Sequence, residues 1–367
     1  KASYGVTGTM EFDKAAVETM YQYLAGERYL NWSSAHVVGF GNPDLTWQET
    51  RETNIGLEIS LFDSRITAAF DYYNKETDGM VSSKDIPWAM GFSSYSANAG
   101  KVRNRGFEAS LSAYIIRDLE KEFSWMVSGQ LVYNKNTILE LSEAIKEQNQ
   151  NFISSGSTSN TEPAHLLYEG RSMYGLYVVR SLGIDPATGN EIYIKRDGSL
   201  TFEYDPNDKV EVGDTTPKLQ GYFNSNLTWK GFNLYMSFNY EYGAKQYNST
   251  LANKVEGADP YSNADRRVLY DRWKEPGDIA MFRRIDDTSV VYQSSRLVQK
   301  NNFLNMTSLS LSYDIPREML KGNFGFIERC KFTFSMTDLF RISTIKQERG
   351  TSYPFARTMS LGFNLTI

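Results

Sequence analysis

The chain has 367 residues, enough for one large domain or two ordinary ones, and its 39 basic against 44 acidic side chains exclude the basic face of a nucleic-acid scaffold. A single cysteine, Cys330, excludes an intrachain disulfide framework and a thiolate metal site, and predicts a buried inert thiol. No stretch approaches the ~18–20 apolar residues of a transmembrane helix.

The opening residue is Lys1, with neither an initiator Met nor a signal peptide, which predicts a processed chain or a fragment. Aromatic residues make up 14%, with 24 Tyr and 21 Phe, a concentration suited to a membrane boundary or a sugar-binding surface. The mean hydropathy of −0.47 is compatible with a membrane barrel, because half of every barrel strand faces a polar lumen.

The informative signal along the chain has period two. After a short strand over residues 1–6, Ile55, Leu57, Ile59 and Leu61 alternate with Asn54, Gly56, Glu58 and Ser60. Beyond Asp63-Ser64-Arg65 the pattern resumes, with Ile66, Ala68, Phe70 and Tyr72 opposite Thr67, Ala69, Asp71 and Tyr73. Phe107, Ala109, Leu111 and Ala113 predict the next strand, and Phe123, Trp125, Val127, Leu131 and Tyr133 the one after it. A short helix is predicted over residues 138–150 from Ile138, Leu141, Ala144 and Ile145.

The clearest hairpin joins Phe223, Leu227 and Trp229 through Lys230-Gly231 to Phe232, Leu234, Met236, Phe238, Tyr240 and Tyr242. Such strands reach the ~9–11 residues of a tilted membrane crossing, whereas globular strands average ~5–6. Further strands are predicted over 302–313, 331–339 and 355–367, about ten in all. Connections alternate in length: residues 63–64, 116–121, 230–231 and the moderate 314–329 against 8–44, 78–100, 136–215 and 247–300, with 340–354 blurring the contrast. Outer-membrane barrels have short periplasmic turns and longer extracellular loops, so this parity predicts an all-β, antiparallel transmembrane barrel.

Residues 359–367 place Met359, Leu361, Phe363, Leu365 and Ile367 on one face and Ser360, Gly362, Asn364 and Thr366 on the other. Ser360, Gly362, Leu365 and Ile367 match in register the C-terminal insertion signal of bacterial outer-membrane barrels, which this strand resembles. Ile367 departs from it, since an aromatic is usual there.

Several segments together resemble the SusC/RagA family of TonB-dependent transporters. They are Lys-Ala-Ser-Tyr-Gly-Val-Thr-Gly at 1–8, the Asn-Pro-Asp-Leu-Thr-Trp segment opening 42–57, and Asp-Tyr-Tyr-Asn-Lys-Glu-Thr at 71–77. Val-Arg-Asn-Arg-Gly-Phe-Glu at 102–108, Gly-Ile-Asp-Pro-Ala-Thr-Gly-Asn at 183–190 and the Pro-Lys strand start at 216–222 complete the set. Asp338 departs from it, where the family tends to carry Asn.

The resemblance implies that residues 1–367 are the C-terminal portion of one barrel domain of about 22 strands, its plug domain absent from this chain. It also implies an outer membrane of a Gram-negative, Bacteroidetes-like bacterium and a SusD-like surface lipoprotein partner. The TonB complex would act through the missing plug region, and the cargo would be oligosaccharide or peptide. The barrel itself would catalyse nothing and need no cofactor.

Loop aromatics are the candidate cargo contacts: Trp88, Phe92, Tyr95, Tyr174, Tyr247, Tyr261 and Trp273. Sugar rings stack their apolar faces on aromatic planes, while Asn and Asp satisfy the hydroxyls. The other reading of these rings is packing of loop on loop or against the lipoprotein. No catalytic residue is predicted: His36 and His165 fall in predicted loops without a partner motif. No metal site is predicted either, because the acidic residues from Asp259 to Asp287 are interleaved with arginines as a mixed-charge loop surface. A passive porin or structural barrel, an outer-membrane hydrolase and a soluble glycan-binding β-sandwich are the rival readings.

Overall fold

The computed structural model describes residues 1–10, 16–30, 32–86, 89, 91–92, 94–154, 163, 166–259, 261, 265–320, 326–345 and 357–367. In chain order the elements open with β1 (Ala2–Thr9), β2 (Met20–Tyr29), β3 (Trp32–Gly39), β4 (Gln48–Leu61), β5 (Ile66–Asp85), β6 (Ser94–Asp118) and β7 (Phe123–Leu141). The helix α1 (Glu143–Ser154) and the strands β8 (Gly175–Ile184), β9 (Glu191–Ile194), β10 (Leu200–Thr201) and β11 (Lys209–Asp214) follow. The chain closes with β12 (Leu219–Trp229), β13 (Phe232–Tyr247), β14 (Val298–Asp314), the one-turn α2 (Arg317–Leu320), β15 (Arg329–Ser343) and β16 (Thr358–Thr366).

Ten strands form one antiparallel sheet in the order β1-β4-β5-β6-β7-β12-β13-β14-β15-β16, with β1 and β16 as its edges among the described residues. Its register shows why the alternation exists. Ile59, Ala68, Leu111 and Gly129 lie side by side, and the row continues through Phe223, Phe238, Met306 and Phe340. One residue along, Ser60, Thr67, Ser112 and Ser128 make the opposite face, continued by Asn224 and Ser237. One surface is therefore a continuous apolar band and the other a polar one, and a slip of one residue would exchange them on every strand.

Aromatic rows border the band. Phe123, Trp229, Phe232, Tyr313, Phe332 and Phe363 are aligned at one end. Tyr72, Phe107 and Tyr133 are aligned at the other, with the Phe107 and Tyr133 rings stacked 5.3 Å apart. The ten steps from Phe123 to Tyr133 cover roughly 33 Å of strand, or about 25 Å along a barrel axis at a tilt of about 40°. That equals the height of the apolar band of an outer-membrane barrel.

Both tight turns sit at the Phe123 end. Phe62, Asp63 and Ser64 are all left-handed, at φ 55°, 52° and 62°, and Lys230-Gly231 forms a two-residue turn with positive φ at both positions. Cys330 is buried. Asp338 has a left-handed φ of 53°, a conformation that Asn and Asp tolerate best among residues with a side chain, so the departure from Asn is conservative.

Three expectations need correction. The helix expected over 138–150 starts only at Glu143, because Ile138 and Leu141 continue β7 and pair with Val102 and Gly100. The loop expected over 78–100 is mostly strand: past a bulge at Thr77/Met80, β5 and β6 rise together as a ribbon whose last pair is Asp85 with Ser94. There both faces stand clear of the apolar band, so no period-two signal marks them. The loop expected over 8–44 contains the β2–β3 hairpin, and His36 lies exposed on that hairpin.

Candidate functional site

Two surfaces can do work: the polar face of the sheet and the body built by the long connections. On the polar face, the Asn134 amide donates to Asn104 Oδ1 at 3.2 Å, and Asn136 donates to the same oxygen at 3.0 Å. The Tyr73 hydroxyl reaches Asn134 Oδ1 at 3.2 Å, and Gln130 donates to Glu108 at 3.2 Å. On β12 and β13, Asn233 donates to Asn226 at 2.7 Å. Apart from the Glu108 carboxylate these are neutral amides and hydroxyls, which exchange hydrogen bonds with hydroxylated or amide-bearing solutes.

The connections 142–218 and 248–297 fold against each other. The first carries a four-stranded sheet in the order β10-β9-β8-β11. Leu176 from it packs with Tyr247, Leu251, Val255, Phe282 and Leu297 in a buried core. A charge network ties the two together. Arg296 donates to Glu191 at 2.8 Å and to Glu256 at 2.6 and 3.1 Å, and Arg283 meets Glu256 at 2.8 Å. Ser294 donates to the second Glu191 oxygen at 2.5 Å. Burial raises the Glu191 carboxyl, but Arg296 and the hydrogen bonds outweigh it and hold the group below the usual carboxylate range. Arg272, also buried, donates to the Val255 and Glu256 carbonyls, and burial lowers its pKa. The segment 259–287 is thus only in part the mixed-charge surface expected of it: Arg284–Asp286 is exposed, whereas Arg272 and Arg283 organise the interior.

Two quoted motifs acquire physical roles. In the 183–190 segment, Asp185 accepts from Thr188 Oγ1 at 2.7 Å and from the Ala187 amide at 3.2 Å, closing the turn between β8 and β9. The Pro186 carbonyl accepts from Trp273 Nε1 at 2.9 Å. Gly189 has φ 76°, and a Cβ there would stand 2.6 Å from the Trp273 ring. In the 42–57 segment, the Asn42 amide donates to the Ser96 carbonyl at 3.0 Å. Asn98 accepts from the Thr46 amide at 2.9 Å and donates to the Thr46 and Gly79 carbonyls at 3.0 and 2.7 Å.

The seven candidate aromatics do not share one surface. Phe92 and Tyr95 cluster with Phe40 near the tip of the β5–β6 ribbon, at centroid distances of 6.1 and 5.8 Å, and Trp88 lies outside the described residues. Tyr174 is 44% exposed and Tyr261 96% exposed. Tyr247 and Trp273 are only 8% and 5% exposed, inside the loop body, and rings so covered offer no face to a sugar. Sequence reasoning missed the Tyr204 and Tyr292 pair, stacked at 4.4 Å and half-buried, because the two are separated by 88 residues (292 minus 204) and meet only through the fold. Ser360, Gly362 and Leu365 lie on β16 with Ile367 just beyond it, and Ser360 shares a 2.6 Å hydrogen bond with Ser335. His165 lies outside the described residues. Among the described residues no cluster of His, Cys, Asp and Glu could hold a metal ion.

Against known proteins, residues 17–274 match the family described as TonB dependent receptor-like, beta-barrel. TonB-dependent receptor P39 of Formosa agariphila is 26% identical over 93% of this chain and 36% of its own length. TonB-dependent receptor P3 of the same organism is 25% identical over 100% and 39%. TonB-dependent receptor SusC of Bacteroides thetaiotaomicron is 24% identical over 85% of this chain and 31% of its own length. Among solved structures, the RagAB peptide transporter superposes with a TM-score of 0.78 at 22% identity, covering 94% of this chain and 37% of that one, a likeness of fold. This chain therefore spans between 31% and 39% of the length of these relatives.

Proposed function

The chain belongs to the TonB-dependent receptor β-barrel family, and from that premise we propose that it is the C-terminal part of the wall of an outer-membrane nutrient importer. The observation that carries this reading is the ten-strand register itself. It sets an apolar band of about 25 Å against a polar face and gathers the long connections at one rim. The polar face lines the import path, and the loop body stands on the extracellular side with a SusD-like surface lipoprotein as its lid. The TonB complex drives import through a plug domain outside these 367 residues, in the outer membrane of a Bacteroidetes-like cell.

The cargo is oligosaccharide. Neutral Asn, Gln and Tyr groups on the polar face match hydroxyls, and the exposed rings of Tyr174 and Tyr261 can stack on sugar faces. Peptide is the second reading, favoured by the resemblance in fold to the RagAB peptide transporter. The barrel wall is read as non-catalytic because the named relatives are receptors.

The test is purification of the full-length protein from outer membranes, with mass analysis of co-purifying lipoprotein and retention of labelled oligosaccharides and peptides. Co-purification with oligosaccharide retention is expected. A lone protein that retains neither cargo and passes small solutes without an energised inner membrane supports a passive porin instead.

A further inference from the structure

The outward, apolar side of the sheet changes character one row beyond the Tyr72, Phe107 and Tyr133 belt. Two residues further along each strand, about 7 Å, the same face carries Asn74, Arg105 and Lys135 in register. Arg105 and Lys135 are directly opposite each other. On β13 and β14 the face that carries Tyr240 and Leu304 leads, past a bulge at Glu241/Ala244, to Lys245 and Lys300, again directly opposite. Like charges placed directly across a ladder are destabilising. Here two such pairs occur at one rim.

Between them the wall opens. The β7–β12 ladder stops at Val132 and Gln220, so the upper parts of β7 and β13 lose their shared neighbour. A cavity of about 720 Å³ fills the wedge, lined by Lys135, Arg171, Lys218, Lys245 and Lys300 among others. Its two acids are engaged: Glu211 pairs with Arg171 at 3.0 Å, and Asp214 accepts from the Thr216 amide at 2.8 Å and hydroxyl at 2.5 Å. Lys135, Lys218, Lys245 and Lys300 have no carboxylate partner among the described residues. Lys245 donates to the Val212 carbonyl, its stem passing beneath Gly213, where a Cβ would lie 2.3 Å from Lys245 Cδ. The cleft is thus shaped around a lysine that the glycine admits.

We propose that this cleft binds the phosphate groups of an outer-leaflet glycolipid headgroup. Three observations converge on that occupant. Lys135, Lys245 and Lys300 sit on the lipid-side face of their strands, above an aromatic belt that fixes headgroup depth. They form like-charge pairs that an anion would relieve, and basic clefts between membrane-spanning segments suit phosphorylated headgroups. The cavity is also of a size that accepts a phosphosugar. The inference rests on the outer-membrane reading above.

The test uses the intact full-length transporter, delipidated in detergent. Native mass spectrometry follows retention of a bisphosphorylated lipid A type glycolipid, its dephosphorylated form, and inorganic phosphate. Wild type is expected to retain the phosphorylated lipid at least tenfold more tightly than the dephosphorylated one. The combined Lys135→Gln, Lys245→Gln and Lys300→Gln variant is expected to lose at least tenfold. Lys75→Gln, on the lumen side, is expected to change nothing, and Lys300→Gln alone serves if the triple variant fails to fold. Equal retention of both lipids, an undiminished triple variant, or displacement of the lipid by equimolar phosphate would each overturn the proposal. Heat-modifiable migration of the wild type tests the barrel reading separately, so the two failures are distinguishable.

Discussion

The guanidinium of Arg296 lies 2.8 Å from the Glu191 carboxylate and joins two loops whose residues are 105 apart in sequence. Both side chains are almost fully buried, and Arg296 also holds Glu256. Removing the cation would leave the buried Glu191 carboxylate with no charge partner and Glu256 with Arg283 alone. Arg296→Ala is therefore expected to loosen the loop body by roughly 3–5 kcal/mol while the barrel stays folded. Limited proteolysis of the full-length protein should show new cleavage within 248–297 and no change in heat-modifiable migration.

The same pair sets a pH dependence. The folded Glu191 carboxyl lies below its ordinary value of 4.5, so its contribution to stability is fully present above that pH and is lost as pH falls through the depressed folded value. Loop-body resistance to an acid-tolerant protease is expected to be flat from about pH 8 to 5 and to fall below about pH 4. In Glu191→Gln this acid limb should shrink.

Trp273 and Gly189 give a steric prediction. Gly189→Ala adds a Cβ against the Trp273 ring at a left-handed position. A cost of about 1–3 kcal/mol to the β8–β9 turn is expected, read as a lower unfolding temperature of the loop body. Tyr261→Ala touches no core, so it should leave that temperature unchanged and, if Tyr261 stacks on cargo, weaken oligosaccharide retention several-fold.

The two faces of β6 predict opposite tolerance. Leu111 is 53% exposed on the apolar band near its middle, and Leu111→Arg is expected to cost about 2–4 kcal/mol of folding free energy in a bilayer. Ser110→Arg, its neighbour on the polar face, should fold normally. Urea unfolding of the full-length protein in lipid vesicles measures both.

The ten strands were legible because each crosses the apolar band, where outward and inward residues must differ: Ile55 to Leu61 and Phe232 to Tyr242 cannot be read otherwise. Where strands leave the band that constraint ends, which is why Ser82 to Asp85 and Ser94 to Asn98 read as loop although they pair. Ile138 and Leu141 illustrate the ambiguity of short apolar runs, since a three-residue spacing fits a helix and a bulged strand alike. The loop aromatics were recognisable as a class but not sorted. Exposure separates Tyr261 from Trp273, and it depends on contacts such as Pro186 with Trp273 across 87 residues. The cationic cleft was invisible for the same reason, because Lys135, Lys245 and Lys300 meet only where β12 stops.

The most direct test of the barrel wall is a labelling scan along β6 in the full-length protein, reconstituted in a bilayer. With Cys330→Ala as background, single cysteines at Glu108, Ala109, Ser110, Leu111, Ser112 and Ala113 would carry nitroxide labels, each read for contact with lipid-soluble oxygen and with a water-soluble nickel chelate. Strict alternation is predicted, with oxygen favoured at 109, 111 and 113 and nickel at 108, 110 and 112. Uniform accessibility to nickel at all six positions would contradict a lipid-facing wall and return the chain to a soluble β-sandwich.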